Sequence, residues 1–240
     1  MTKFAELDWS EDNHPYSRQF DDHYYSLVGG LAEVQHVFIK GNQLATRWSA
    51  LAEGDTFYIM ETGFGSGLNF LACWDLWRTM DLGNTRSLHF ISVEKFPMSK
   101  EQLHRSLKNW KQSLSDVSEK LVENYPQPEE TTHTLEFTED NIKLTLIFSD
   151  IRDLMPCLKL PDNALIDAWF LDGFAPSKNP QMWQPELYHH MHRFSRSGAT
   201  VATYTVAGLV RRGLISAGFE VQMKPGFGTK RDMLTANKKT

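Results

Sequence analysis

The sequence predicts one α/β domain built on a doubly wound, mostly parallel β-sheet. Strand-like apolar runs alternate with helical stretches from residue 55 onward, which is the pattern of such a sheet. An apolar strand over 57–60 leads into three alternating glycines, and acidic residues stand at the ends of later strands. Ligands of open sheets bind beyond the carboxyl ends of the strands. We therefore expect a nucleotide site at that edge.

Length and composition bound the domain organisation. A chain of 240 residues with 41% apolar side chains can bury one sizeable core. We expect a single domain over 1–240, with an N-terminal arm and accessory hairpin over 1–50, an α/β core over 55–240 and an insertion near 112–142.

The cysteines and the lack of a secretory or membrane-spanning segment indicate the cellular compartment. Cys73 and Cys157 lie in apolar surroundings and predict buried free thiols, which fit a reducing compartment. The first residues show no secretory signal, and no apolar stretch approaches the length of a membrane span. We expect a cytoplasmic protein without a membrane partner.

The first 25 residues contain an unusual aromatic and acidic segment. Residues up to Asn13 show no periodicity and predict a loose arm. The segment 16–25 mixes aromatic rings with carboxylates, which suits a loop folded over a site. A helix capped at Asp21 or Asp22 is the alternative.

A hairpin is predicted next to this segment. Two alternating runs, 36–40 and 43–48, flank Gly41 and Asn42. Two residues of that type between strands predict a tight turn, so we expect an accessory hairpin beside the main sheet.

The stretch 57–71 carries the strongest local signal. Glu61 ends an apolar strand and is followed by Gly63, Gly65 and Gly67. Glycine allows positive φ and close approach of a ligand to the main chain, and a helix N-terminus beyond it offers free N–H groups. A dinucleotide turn needs Gly-x-Gly-x-x-Gly, so the third glycine comes one residue too early for it. Another nucleotide or a purely structural turn stays open on this evidence.

Two acidic residues close the second and fourth of the expected strands. Glu94 ends the strand 87–94 and is placed to accept hydrogen bonds from ribose hydroxyls, with a surface glutamate as the alternative. Asp172 ends the strand 164–172, where transferred atoms should meet. The alternative for Asp172 is a cap on the turn at Gly173.

Helical stripes and caps predict the remaining elements. Ser99, with Gln102 three residues later, predicts a capping box at the start of a helix that reaches Trp110. Further helices are expected over 68–80, 114–125, 181–195 and 206–217, and strands over 135–148, 199–205, 219–225 and 231–236.

The charge of the chain is unevenly distributed. The net charge is −5, but residues 205–240 hold seven basic and two acidic residues, which leaves −10 for the rest. A basic end on an acidic body can attract a phosphate backbone, although an ordinary solvated surface explains the same residues.

Several segments together resemble one family. A strand-end acid followed by Gly-x-Gly-x-Gly is similar to the first motif of class I methyltransferases. The complete set resembles the methyltransferase domain of the bifunctional MnmC proteins of tRNA modification, and their stand-alone MnmD relatives, over nearly the whole chain. The matching segments are 20–22, 41–44, 61–71, 169–180 (Trp-Phe-Leu-Asp-Gly-Phe-Ala-Pro-Ser-Lys-Asn-Pro), 207–214 and 226–231.

The resemblance implies a Rossmann-like class I methyltransferase fold with an antiparallel last strand, and S-adenosyl-L-methionine as cofactor. It implies methyl transfer to the amine of 5-aminomethyl-2-thiouridine at the tRNA wobble position, with Asp172 as base or orienting group. The implied cofactor-binding residues are Glu61, Gly63, Gly65, Gly67, Asn69, Glu94, Lys95, Asp150 and Ile151. The implied tRNA contacts are Tyr24, Tyr25 and Phe174 for stacking, and Lys178, Arg211, Arg212, Lys230 and Arg231 for phosphates.

Two of these predictions have alternatives or limits. Asp150 also suits the N-terminus of a helix together with Asp153. The bifunctional members carry a flavin-dependent oxidase domain that makes the amine, and no second dinucleotide turn is visible in this chain. We therefore expect such an oxidase as an upstream partner, fused or separate.

Rival functions are a methyltransferase of another RNA, a protein or a small amine, an NAD-dependent oxidoreductase, and a non-catalytic RNA-binding module. No metal site is expected, because the histidines at 189, 190 and 192 lack a partner spaced for tetrahedral ligation.

Overall fold

The computed structural model describes residues 3–27, 29–161 and 164–239. Within these residues the strands are β1 (Leu7–Trp9), β2 (Pro15–Ser17), β3 (Asp22–His23), β4 (Thr56–Glu61), β5 (Ser87–Glu94), β6 (Thr132–Phe137), β7 (Ile142–Phe148), β8 (Ile166–Phe170), β9 (Ser195–Thr203), β10 (Phe219–Pro225) and β11 (Asp232–Lys238). The helices are α1 (Gly30–Val34), α2 (Leu44–Ser49), α3 (Leu68–Thr79), α4 (Lys100–Leu107), α5 (Lys111–Asn124), α6 (Ile151–Leu154), α7 (Pro185–Phe194) and α8 (Gly208–Ser216).

The main sheet confirms the predicted fold class. Its strand order is β10-β11-β9-β8-β4-β5-β7-β6. The five central strands from β9 to β7 run parallel, whereas β6 at one edge and β11 and β10 at the other are antiparallel to their neighbours. The chain builds the sheet outward from β4 toward β7 and then returns to β8 on the other side of β4. This reversal creates a switch point between β4 and β8.

Helices cover both faces of the sheet. Apolar residues of α1 to α5 pack with the strand residues of one face, which include Ile59, Phe90 and Phe170. Helices α6, α7 and α8 pack on the opposite face, which includes Met60 and Trp169. Neighbouring strand residues thus enter different cores, because side chains alternate along a strand.

The predicted hairpin over 36–48 is wrong. The segment is helical: α1 continues into a π-helix over Gln35–Lys40, and α2 follows. Val34, Val37 and Phe38 are buried at helical spacing. The apolar residues of this segment therefore fit a helix as well as they fit the alternating pattern of a strand. Gly41 has a helical φ of −57° instead of the positive φ of a hairpin turn.

A small antiparallel sheet of β1, β2 and β3 takes the place of the expected loose arm. Ala5 N donates to Pro97 O over 2.9 Å, which holds the arm on the loop before α4. The N-terminal region thus contains an antiparallel element, as the predicted fold class includes, but it lies over 7–23 instead of 36–48, and the prediction of a loose arm up to Asn13 is wrong.

Smaller predictions have mixed outcomes. The capping box of Ser99 and Gln102 is present, and α4 begins at Lys100, but it ends at Leu107 and a 3₁₀ turn over Lys108–Trp110 follows. Cys73 is a buried thiol, but Cys157 is exposed, because the short segment after α6 lies at the surface. Among the described residues, no helix is long and apolar enough to cross a membrane.

Candidate active site

The glycine turn and Asp172 meet at the switch point. Thr62 N donates to Phe170 O over 3.2 Å, and the Thr62 hydroxyl lies 3.0 Å from the Asp172 amide nitrogen. A Cβ atom on Gly63 would lie 3.4 Å from Gly173 Cα. Ordinary hydrogen bonds between the ends of β4 and β8 thus bring together the two segments that the sequence singles out.

A first cavity opens along the carboxyl ends of β4, β5, β7 and β8. Its walls include Gly63, Gly65, Glu94, Asp150 and Asp172, and it encloses about 900 Å³ of space including its open mouth. Lys95 and Ile151, also predicted for the cofactor, line the same cavity. Six of the nine predicted cofactor-binding residues therefore surround one volume together with Asp172.

Glu94 is bound to the glycine turn. One carboxylate oxygen accepts a hydrogen bond from Gly65 N over 2.9 Å, and the other accepts from Phe96 N over 2.8 Å. A phosphate would need the same turn N–H and would be repelled by this carboxylate. The geometry therefore disfavours a pyrophosphate here and leaves the remaining lone pairs of Glu94 for neutral hydroxyl donors.

Asp150 caps a helix and also lines the first cavity. Its side chain caps α6 by accepting from Arg152 N over 3.0 Å, so the capping alternative is correct. The same carboxylate pairs with Arg152 at 2.6 Å and Lys95 at 2.8 Å, which hold its pKa well below the usual range. Asp150 is therefore an ionised acceptor beside Ile151 in the first cavity.

Glu61, Gly67 and Asn69 lie behind the cavity wall. The buried Glu61 carboxyl group accepts from Asn69 Nδ2 over 2.7 Å and from Ser92 Oγ over 2.5 Å. Burial raises the pKa of Glu61 to about 8, so the group is mostly protonated at neutral pH. Gly67 starts α3 at a φ of 73°. These residues support the turn and are not among the residues that line the first cavity.

Asp172 is held by two donors. Gly173 N donates to Oδ1 over 2.8 Å, and Asn69 Nδ2 donates to Oδ2 over 2.7 Å. Burial raises the pKa of Asp172 to about 6, against these two hydrogen bonds, which lower it. The carboxylate is therefore oriented, ionised at neutral pH and more basic than an ordinary aspartate.

The segment 20–25, here called the N-terminal strap, folds over this site. Phe20 stacks on Phe174 at 4.6 Å, and Asp22 Oδ2 accepts from Ala175 N over 3.1 Å. A Cβ atom on Gly65 would lie 3.2 Å from Tyr24 Cδ1. The loop interpretation of this segment is therefore correct, and the helix cap at Asp21 or Asp22 is wrong: Asp21 has a φ of 50° and Asp22 begins β3.

A second cavity lies on the other side of the strap. It shares His23, Tyr24, Asp172 and Gly173 with the first cavity and encloses about 1090 Å³ including its mouth. Its polar wall also includes Asp22, Glu33, Tyr204 and Lys230. Asp172 thus stands at the junction of two cavities.

The aromatic residues predicted for tRNA divide between the cavities. Tyr24 lines both, Phe174 lines only the first, and Tyr25 lines only the second. Tyr25 OH donates to Ser106 O over 3.1 Å and so ties the strap to α4.

The predicted basic residues surround the same edge of the sheet. Lys178 pairs with Asp21, and Lys230 pairs with Glu33 at 2.7 Å. Arg231 is 95% exposed in its side chain. Arg211 and Arg212 are exposed on α8, and in the described part of the chain neither forms an ion pair.

Several site residues escaped the sequence analysis. Tyr204 follows β9 and could have been found from the rule that ligands collect at strand carboxyl ends. Glu33 could not be found from the sequence around it. It precedes a segment interpreted as a hairpin, and its partner Lys230 lies 197 residues later in the chain. Within 3–27, 29–161 and 164–239, no three His, Cys, Asp or Glu side chains are grouped to hold a metal ion.

The fold and site define a Rossmann-like class I methyltransferase. The family model described as S-adenosyl-L-methionine-dependent methyltransferase matches residues 112–239. The chain belongs to this family of S-adenosyl-L-methionine-dependent methyltransferases, and the cofactor prediction is confirmed.

Relatives agree with this assignment. The chain is 48% identical to the tRNA 5-methylaminomethyl-2-thiouridine biosynthesis bifunctional protein MnmC of Marinomonas sp. over 95% of its length, and 46% identical to that of Vibrio campbellii over 98%. It spans about a third of the length of these curated relatives, 33% and 35%. The predicted resemblance to MnmC is confirmed.

A solved structure supports the fold. MnmC2 from Aquifex aeolicus superimposes with a TM-score of 0.72 over 98% of this chain and 70% of that chain, at 22% identity.

Proposed function

We propose that this protein transfers the methyl group of S-adenosyl-L-methionine to the primary amine of 5-aminomethyl-2-thiouridine at the wobble position of tRNA. The observation that carries the proposal is the position of Asp172 between a cavity suited to the cofactor and a second cavity with an acidic wall. Asp22 and Glu33 line the second cavity with Asp172, which favours entry of a cationic amine.

The first cavity fits the cofactor by its donor set. Glu94 offers acceptors for two ribose hydroxyls. Asp150 would exchange its half-exposed partner Lys95 for an adenine amino group beside the buried Ile151. The main chain at Gly63 and Gly65 would contact the methionine part of the cofactor. The glycine at 65 leaves this space open, since a side chain there would fill the gap below Tyr24. When bound, the cofactor supplies an electrophilic methyl carbon, whose bond to sulfur breaks as the bond to nitrogen forms.

The amine must lose a proton before it can attack. An alkylamine in water has a pKa near ~10, as lysine does. Two positive charges about 4 Å apart repel by roughly 4 kcal/mol at an effective dielectric constant of 20, which lowers the pKa of the amine by about 3 units, to ~7.

Asp172 is suited to take that proton. Burial raises its pKa from 3.8 to about 6. This shift makes proton transfer from the amine about 3 kcal/mol more favourable than transfer to an ordinary aspartate. We assign Asp172 as the proton acceptor, with Asn69 and the Gly173 amide fixing its orientation.

The basic residues at the site edge support RNA as the carrier of the amine. Arg211, Arg212 and Arg231 are exposed around the same edge as the cavity mouths, and phosphate contacts of this kind position a nucleic acid. The bifunctional relatives are named for tRNA 5-methylaminomethyl-2-thiouridine biosynthesis. We infer that an oxidase, fused or separate, supplies the amine.

Transfer of labelled methyl groups tests the proposal. The protein is incubated with labelled S-adenosyl-L-methionine and with total tRNA, total protein or a small alkylamine, and the tRNA is digested to nucleosides. We expect label in 5-methylaminomethyl-2-thiouridine alone, and none with Asp172→Asn. Label in protein, in the small amine or in another nucleoside would refute the assignment and support one of the rival methyltransferases.

A further inference from the structure

A chain of contacts leads away from Asp172 along the wall of the second cavity. Tyr204 OH donates to Gly173 O over 2.7 Å. Lys230 Nζ lies 4.4 Å from the centre of the Tyr204 ring, and the same ammonium donates to Glu33 Oε1 over 2.7 Å. The Lys230 ammonium and the Glu33 carboxylate therefore lie side by side on a wall that is connected to Asp172 through Tyr204 and Gly173.

The Glu33 and Lys230 pair is not an ordinary surface ion pair. The Glu33 side chain is only 13% exposed, while Lys230 is 45% exposed. Among the described residues, Glu33 Oε2 accepts no hydrogen bond, so an acceptor is left inside the cavity. Lys230 keeps further N–H donors beside it. The wall thus presents one donor and one acceptor next to each other.

The rest of the cavity suits a flat ring. Leu27, Val34 and Phe38 contribute apolar lining, and the Tyr24 ring faces the cavity from the strap. Aromatic and apolar walls of this kind hold unstacked bases, whose edges are then read by hydrogen bonds.

We propose that Glu33 and Lys230 read the Watson–Crick edge of the substrate base and select uracil. Lys230 donates to the C4 carbonyl, and Glu33 accepts from N3–H. The adjacent donor and acceptor on the wall match the adjacent O4 and N3–H of the ring, and Asp172 lines the same cavity for the C5 aminomethyl group. This inference rests on the proposed function, since it takes an aminomethylated pyrimidine as substrate.

The same pair excludes cytosine. Cytosine presents an amino donor at C4 and an acceptor at N3, which is the reverse of the uracil pattern. An ammonium would then face an amino group, and a carboxylate would face a lone pair. Sites built to hydrogen-bond an N–H group reject analogues that lack it by large factors.

The test compares three anticodon stem-loop RNAs that carry the same aminomethyl group. One contains 5-aminomethyluridine, one contains its N3-methyl derivative and one contains 5-aminomethylcytidine. We expect kcat/KM of the wild-type protein to be at least ~50-fold higher for the first RNA than for either other RNA, because each of the other two leaves a charged side chain without its hydrogen-bond partner.

Two variants test whether Glu33 and Lys230 cause the discrimination among the three RNAs. Glu33→Gln should raise KM for the uridine RNA about tenfold with little change in kcat, and should shrink the penalty for N3-methylation to about fivefold or less. Lys230→Met should weaken discrimination against the cytidine RNA. The matched control is Glu139→Gln, which removes an exposed ion pair with Lys120 and lies outside both cavities. Discrimination should be unchanged in the control.

The outcomes separate this inference from the proposed function. If the wild-type protein methylates the uridine and N3-methyluridine RNAs equally, the proposed function stands and the reading of the base edge is refuted. If it methylates none of the three RNAs, the proposed function fails and the inference fails with it. Should Glu33→Gln not fold, the wild-type comparison and Lys230→Met still decide.

Discussion

Glu61→Gln should stabilise the protein, and more so at high pH. Glu61 is fully buried, and burial raises its pKa from 4.5 to about 8. Glutamine keeps both contacts, because its oxygen can accept from Asn69 and its amino group can donate to Ser92. The substitution therefore removes the ionisable group without removing a hydrogen-bond partner.

The pH dependence follows from proton linkage. Below pH 4.5 the folded and unfolded states both hold the proton, so wild type and variant differ little. Between about 4.5 and 8 only the folded state holds it, and the stability of the wild type falls by about 1.4 kcal/mol per pH unit relative to the variant. The difference is about 1 kcal/mol at pH 5 and about 4 to 5 kcal/mol at pH 9.

Urea unfolding at pH 5 and pH 9 measures this difference. The control is Glu136→Gln, since the exposed Glu136 on β6 pairs with Lys143, which holds its pKa below the usual value. That control should change stability little and in the opposite direction. If Glu61→Gln shifts the free energy of unfolding by the same amount at both pH values, Glu61 does not keep a proton in the folded state.

Three further predictions concern the cavities and the RNA. Gly65→Ala should lower cofactor affinity at least tenfold in a calorimetric titration. Gly65 has a φ of 53°, and a Cβ atom there would lie 3.2 Å from Tyr24. An unchanged affinity would mean that the strap moves freely. The kcat/KM for methyl transfer should rise with pH through a midpoint near 6 as Asp172 loses its proton, and a profile without that midpoint would remove Asp172 as the base. Changing Arg211 and Arg212 together to Gln should reduce the slope of log affinity for tRNA against log salt by nearly 2, and an unchanged slope would exclude both as phosphate contacts.

The centre of the fold was predictable because its signals are local. Short stretches of consecutive residues are enough to predict an apolar strand, a turn that needs glycine, or an acid at a strand end. The Gly-x-Gly-x-Gly turn and Glu94 lie where the sequence predicts them. Parallel strands then bring their carboxyl ends to one edge without further information. Asp150 and Asp172 reached the same cavity for this reason.

The rest depended on contacts between distant residues. The segment 36–48 fits both a helical and an alternating pattern, and the buried Asn42 amide, which donates to Phe38 O over 3.0 Å, belongs to the helical arrangement. Lys230 was expected on the RNA phosphates but pairs with Glu33 in the second cavity. Neither the helical structure of 36–48 nor the Lys230–Glu33 pair can be predicted from a short stretch of sequence.

Asn69 links the stability of the turn to the chemistry proposed for Asp172. Its one amide group donates to Glu61 over 2.7 Å and to Asp172 over 2.7 Å, so two carboxyl groups share one donor. Two buried negative charges at this spacing would repel strongly, and the charge of Asp172 indeed contributes to the raised pKa of Glu61. The fold therefore keeps one negative charge at this point. Because Glu61 has no access to the cavity and the higher pKa, the charge stays on Asp172, where a proton acceptor is needed.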